Sequence, residues 1–200
     1  MTSVGLLGAG NIATAIATRA VAAGVERVII SNSRGPASLA EQAARLGPQV
    51  VAGAGADAGQ ADIVVVAVPW SKVEAAVSRI EDWHGKILVD ATNPIEAPTF
   101  EPADLGGKTS SEIVAALTPG ARVVKAFNTH SPQALASDPA VGGGRRVLFY
   151  SGDDPDAKRE VGAFITRLGF EAIDLGGLVD GGRLHQFPGG PLPARDLVQL

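Results

Sequence analysis

Glycines, one arginine and a short polar edge carry most of the chemistry open to this 200-residue chain. In Val4-Gly5-Leu6-Leu7-Gly8-Ala9-Gly10-Asn11-Ile12-Ala13 an apolar run passes through two glycines straight into an alanine-rich segment. Gly8 gives a sharp exit from a strand, Gly10 removes the side chain that would hold an anion away, and Ala13 lets a helix pack close to the strand. The free N–H groups of the first helical turn, including those of Asn11, Ile12 and Ala13, then face an anion at the positive end of the helix dipole. A strand, a turn and a helix in this order read as a seat for the pyrophosphate of a dinucleotide.

The next strand end selects the dinucleotide. Arg27 to Ser31 reads as the second strand, and it ends in Ser31-Asn32-Ser33-Arg34 without an acid. Glu26 stands at the start of that strand, away from the place where a carboxylate would bind a ribose 2′-hydroxyl. A carboxylate there would repel a 2′-phosphate, whereas hydroxyls and a guanidinium bind one through charge-assisted hydrogen bonds. The expected cofactor is therefore NADP(H), with a solvated polar loop as the bland alternative.

Three further strand ends add polar or aromatic groups. Val68-Pro69-Trp70 closes the most β-branched run, and Trp70 is either a wall beside the nicotinamide or ordinary packing. Asn93 follows the fifth strand, and Asn128-Thr129-His130 follows the sixth. Asn93 and Thr129 are expected on the cofactor. Asn128 and His130 are expected to face a hydride acceptor, donating hydrogen bonds to its carbonyls, with His130 the obvious proton donor. Mutually satisfied strand-end polar groups are the competing reading. His185 is either functional or part of a dimer contact, and His84, at the amino end of its strand, is expected on the surface.

Composition removes several other classes. The 17 basic and 21 acidic residues give a net charge of −4, with no basic run longer than the Arg145-Arg146 pair, so a nucleic-acid groove has no support. There is no cysteine, and the three histidines are scattered, so no metal site is expected. No Gly-x-Ser-x-Gly elbow or His-Glu-x-x-His helix is present. No apolar run is long enough for a bilayer, and the first residues read as a strand of the fold rather than a leader, which gives the expectation of a cytoplasmic protein with no membrane partner.

These edges need a scaffold that brings strand ends together. Continuous apolar strands alternating with helices predict parallel βαβ crossovers and a doubly wound α/β sheet of Rossmann type. Helices are expected over 11–23 with Gly24 as its cap, 37–46, 72–80 with Ser71 as its cap, 112–117 started by Ser110 or Ser111, and 155–168. Strands are expected over 49–52, 62–70, 86–90, 121–127, 146–151 and 171–175. Residues 95–108, which follow Pro94 and hold two prolines, predict an irregular loop over the site. We expect one domain over 1–200, with a dinucleotide-binding core to about 128 and a small C-terminal α/β extension from 129. In the glycine- and proline-rich tail, Leu178, Leu184, Phe187 and Leu192 are the expected apolar anchors.

The chain resembles the NADP-dependent oxidoreductases that reduce or oxidise the deazaflavin coenzyme F420, a family related to the cytosolic reductase domains of membrane ferric reductases. The resemblance rests on Gly8-Ala9-Gly10-Asn11-Ile12-Ala13, Ser31-Asn32-Ser33-Arg34, Val68-Pro69-Trp70, Val123-Val124-Lys125-Ala126-Phe127-Asn128-Thr129 and Ser151-Gly152-Asp153-Asp154. It implies a compact Rossmann domain, a homodimer, and hydride transfer at the carboxyl edge of the sheet to coenzyme F420 or a flavin. Archaeal members carry histidine where Asn128 stands and an aliphatic residue where His130 stands, so the hydride acceptor stays open. A catalytically silent NADP(H) sensor and a reductase of small carbonyl or imine compounds are the alternatives.

Overall fold

The computed structural model describes residues 3–96 and 99–200. Its order is β1 (Ser3–Leu7), α1 (Asn11–Ala22), β2 (Arg27–Ser31), α2 (Ala40–Leu46), β3 (Val50–Ala52), α3 (Gly55–Ala58), β4 (Ile63–Val66), α4 (Val73–Val77) and β5 (Ile87–Asp90). There follow β6 (Ile95–Glu96), β7 (Glu101–Pro102), α5 (Ser110–Leu117), β8 (Arg122–Ala126), α6 (Pro132–Ala136), β9 (Ala140–Val141) and β10 (Gly144–Gly152). The chain closes with α7 (Pro155–Arg167), β11 (Glu171–Asp174), α8 (Asp180–His185) and β12 (Val198–Gln199).

The main sheet has the order β11-β10-β8-β5-β4-β1-β2-β3. From β8 to β3 every pairing is parallel; β10 joins β8 antiparallel and carries β11 parallel on its far side. This is the doubly wound Rossmann-type α/β fold expected from the strand and helix alternation. The C-terminal strands extend the same sheet instead of forming another.

Strand alternation divides the core into two layers. Val4, Leu6, Val28, Ile30, Val65 and Val89 face one layer, where α1 presents Ala13, Ile16, Ala17 and Ala20 and α7 presents Val161, Phe164 and Ile165. Leu7, Ile29, Val64, Val66 and Leu88 face the other, covered by Val73 and Val77 of α4, Val114 of α5 and Leu178. The small side chains of α1 let it lie close to β1, which places its N-terminus at the crevice where the winding reverses between β1 and β4.

Several local expectations are corrected. Ala23 caps α1, and Gly24, at φ 68°, takes the left-handed position just beyond. The second helix opens as a 3-10 turn over Pro36–Leu39. Ser71 makes no cap: a 3-10 turn over Trp70–Lys72 leads into α4, which is only five residues long. Thr109, rather than Ser110 or Ser111, starts α5; its hydroxyl accepts from Glu112 N, and Glu112 accepts from Thr109 N at 2.7 Å. Part of 95–108 pairs as the ribbon β6–β7, while residues 97 and 98 lie outside the described residues. In the tail Leu178 is buried as expected, but Leu184 and Phe187 are exposed.

Candidate functional site

The first half of the site is the turn between β1 and α1. Gly8 has φ 126°, and a Cβ there would stand 2.3 Å from Ala67 O, so no other residue fits the approach to the end of β4. Gly10 is different: a Cβ at Gly10 would meet nothing within 4 Å. The space in front of it is open, and no side chain caps α1 or places an acid in its first turn. The N–H groups of Asn11, Ile12 and Ala13 are thus left for an anion, which fits the pyrophosphate of a dinucleotide. Gln42, which no motif marks, braces the turn by donating to Ala9 O at 3.1 Å and to Thr14 Oγ1 at 2.9 Å.

A cavity of about 240 Å³ opens beside this turn, lined by Gly8, Gly10, the Ser31–Ser33 edge, Val68, Pro69, Lys72 and Arg79. Ser31 is turned into the sheet, its hydroxyl donating to Leu6 O at 2.8 Å, so its proton is spent on the scaffold. Asn32 shapes the loop by accepting from Arg34 N at 2.8 Å and donating to Ser38 Oγ at 3.0 Å. Ser33 and Arg34 are exposed beyond it. Lys72 and Arg79 bring two further cations from the opposite wall, and among the described residues no acid lines the cavity. Sequence reasoning passed over both, because their place on the α4 side is visible only once helix and strand are packed. Trp70 is not on this wall; it is half-buried against the layer of Val73 and Val77, which is the packing alternative.

The second half lies at the ends of β5 and β8. Phe127 has φ 63°, a strained value for a non-glycine residue, and is held there by its buried ring, which meets Phe164 edge-on at 6.2 Å. The turn it makes brings Asn128, Thr129 and His130 to a second cavity of about 430 Å³. Asn93 lines this cavity too, so Asn93 and Thr129 sit with Asn128 and His130 and not beside the glycine turn. The outer wall comes from the tail, through Phe187, Pro193, Ala194, Arg195 and Asp196. It is pinned there by Ala194 N donating to Thr129 O at 3.0 Å and by Arg146, whose Nε donates to Asp196 at 2.6 Å.

The hydrogen bonds of Asn128 overturn one expectation. Its Nδ2 donates to Asn93 Oδ1 at 3.0 Å and to His185 O at 2.5 Å, so both amide protons are used and none is left for an acceptor carbonyl. Its Oδ1 is buried without a partner, as is His130 Nε2. Burial, reinforced by the nearby Arg146, lowers the His130 pKa, and hydrogen bonding to the Thr129 backbone and the charge of Asp196 only partly oppose it. The shift favours the neutral imidazole. His185 is fully buried, which removes it from any dimer contact; its Nε2 lies 2.9 Å from Ser151 Oγ. Burial, then the Lys125 charge, push its pKa to about 3 against the opposing pull of Asp90. His84 is on the surface, as expected.

Beneath both halves lies a buried ion pair. Lys125 Nζ, on β8, donates to Asp90 Oδ2 at 3.2 Å, Thr92 O at 3.1 Å and Ser110 Oγ at 2.9 Å. Asp90 also accepts from Ser111 Oγ and from the Thr92 hydroxyl, each at 2.6 Å. Burial raises the Asp90 pKa, but Lys125 and the Ser111 and Thr92 hydrogen bonds outweigh it, leaving the carboxyl below its usual range. The pair fixes the Thr92–Asn93 turn.

Comparison with known proteins places this geometry. Residues 3–94 match the family model described as NADP oxidoreductase coenzyme F420-dependent. A solved structure of a hypothetical protein, SMa0349 from Sinorhizobium meliloti, is 49% identical, with a TM-score of 0.94 over 100% of this chain and 97% of its own. A candidate F420-dependent NADP reductase from an Arthrobacter species is 31% identical, with a TM-score of 0.72 over 89% of this chain and 86% of its own. Metalloreductase STEAP3 of Rattus norvegicus is 33% identical over 96% of this chain, which spans 37% of that relative's length. The glycine turn, the acid-free second strand and these likenesses agree: the chain is an NADP(H)-binding member of the coenzyme F420-dependent NADP oxidoreductase family.

Proposed function

We propose that this chain passes a hydride between NADP(H) and a deazaflavin, such as coenzyme F420, or a flavin. The observation that carries the reading is the placement of two cavities along one carboxyl edge, the first beside the glycine turn and its cations, the second around Asn128 and His130. Bound NADPH supplies the hydride from its nicotinamide C4. The chain's part is to position: the α1 N-terminus holds pyrophosphate, Ser33 and Arg34 hold the 2′-phosphate, and the Asn128 edge holds the acceptor ring. Such a transfer needs near-contact stacking more than a strong protein acid, so a neutral His130 suits it.

Absorbance at 340 nm during incubation of NADPH with coenzyme F420, FMN, FAD, riboflavin and small carbonyl compounds tests the reading. Oxidation that depends on a deazaflavin or flavin is expected; binding of NADPH without oxidation by any acceptor would leave the sensor alternative. The same reading includes a homodimer, supported by the exposed apolar side chains Val179, Leu184, Phe187 and Leu197 in the tail. Light scattering is expected to give twice the chain mass.

A further inference from the structure

The clasp between two asparagines fixes what the second cavity can recognise. His185 O can only accept, and it takes a proton from Asn128 Nδ2. Phe187 N can only donate, and it gives its proton to Asn93 Oδ1 at 3.2 Å. These two backbone groups set both amides: Asn93 presents its oxygen to Asn128, and Asn128 presents its nitrogen. Turning the Asn128 amide over would bring oxygen against oxygen at both contacts. The atom left over is therefore Asn128 Oδ1, an acceptor.

Among the described residues no donor reaches it. Asn93 Nδ2 donates to Asn128 O at 2.8 Å and Ala194 N donates to Thr129 O, while the Ser131 hydroxyl oxygen accepts from Ala134 N as the cap of α6 and makes no bond to Asn128 Oδ1. Asn128 Oδ1 is left with no partner, as is His130 Nε2 on the same cavity wall. A buried acceptor without a donor is costly, and a ligand that supplies the donor recovers that cost. A ligand carbonyl in its place would set lone pair against lone pair.

We propose that this cavity recognises an amide-type N–H, received by Asn128 Oδ1, and so takes a ligand with a cyclic imide or a carboxamide in preference to a simple ketone or aldehyde. The inference rests on the cavity being the acceptor end of the hydride-transfer site. The imide N–H of a flavin or deazaflavin ring and the carboxamide N–H of the nicotinamide share this chemistry. Because Asn128 Oδ1 is buried, seating the N–H displaces part of the wall.

Two ligand pairs test the inference by calorimetry. Riboflavin is compared with 3-methylriboflavin in the presence of saturating NADP⁺, which holds the chain without turnover, and NADPH is compared with its 3-acetylpyridine analogue. In the wild-type protein one pair is expected to favour the N–H member by roughly 5- to 150-fold, and the pair that does so identifies the source. In Asn128→Ala that ratio is expected to fall to near one, whereas a merely structural loss would weaken both members alike. In wild-type protein labelled with ¹³C-asparagine, the Asn128 side-chain carbonyl resonance should move with the N–H ligand and stay with its methyl counterpart, which decides the matter if the variant does not fold. Ratios near one for both pairs, or a carbonyl resonance that moves equally with both members, overturn the inference. If oxidation of NADPH by acceptor proceeds while the ratios are near one, the N–H site alone fails. If the ratio holds and no acceptor is reduced, the hydride-transfer reading fails and the N–H site stands.

Discussion

Lys125 Nζ lies 3.2 Å from Asp90 Oδ2 with neither side chain exposed to water. Removing a single partner of such a pair strands the other charge in the core, at a cost of about 3–5 kcal/mol. Lys125→Met is therefore expected to lower stability by about that amount in denaturant titrations. The double variant Lys125→Met with Asp90→Asn should recover a substantial share, because it abolishes the stranded charge. A double variant no more stable than the single one would move the cost from charge to packing.

Cofactor choice rests on cations around an acid-free cavity. Arg34→Ala should weaken NADPH binding by roughly 10- to 150-fold and leave NADH nearly unchanged, as loss of a charge-assisted phosphate contact costs about 1.5–3 kcal/mol. Arg79→Ala tests the cation that sequence reasoning passed over, with a smaller loss in the same direction. Equal losses for the two cofactors would remove these residues from the 2′-phosphate. Gly10→Val should abolish dinucleotide binding in a protein that melts as wild type, since its side chain enters open space.

In the proposed function His130 and the dinucleotide lie at different strand ends. His130→Ala is expected to lower turnover or acceptor affinity while leaving the NADPH dissociation constant within about twofold of wild type. If the imidazole also supplies a proton, kcat/KM falls as pH rises through a pKa below the ordinary value of about 6.5, since burial lowers it. The variant then loses that limb. A wild-type pH profile and rate in His130→Ala would place the acceptor elsewhere.

Acid should unfold the chain through His185. Its folded-state pKa of about 3 lies below the unfolded value of about 6.5, so the unfolded chain binds the extra proton between those limits. Stability is complete above pH 6.5 and declines by up to about 1.4 kcal/mol per pH unit as pH falls toward 3. Asp90, whose pKa is lowered in the folded state, adds a loss below its ordinary value near 3.8. His185→Gln should remove one proton from the slope between pH 6.5 and 4 in melting curves recorded against pH. An unchanged slope would assign the proton uptake to another group.

The parallel sheet was legible because its information is local. Runs such as Ile63-Val64-Val65-Val66 have one plausible conformation, and each glycine turn stands beside the strand it ends. Short helices were harder. At Thr109 the cap competes with two serines that look equally good in sequence, and the decision falls to Glu112, placed to return the hydrogen bond. Ser110 and Ser111 were drawn inward to Lys125 and Asp90 instead. The polarity of Asn128 was out of reach for a different reason: it depends on His185 O, 57 residues away, and on a tail whose course no periodicity describes. Lys72 and Arg79 share that difficulty, since a cation on an exposed helix looks the same whether it faces solvent or a phosphate.

The tail that crosses the carboxyl edge makes the two halves of the crevice separable in inheritance. The cavity beside the glycine turn takes its lining from residues before 80, while the outer wall of the second cavity is drawn from residues 187–196. Insertions and exchanges in that last stretch can therefore reshape the second cavity without disturbing the cavity beside the glycine turn. A fold built this way can vary the second cavity by changing one short stretch, and swapping residues 187–196 between two members tests whether that stretch sets their preferences.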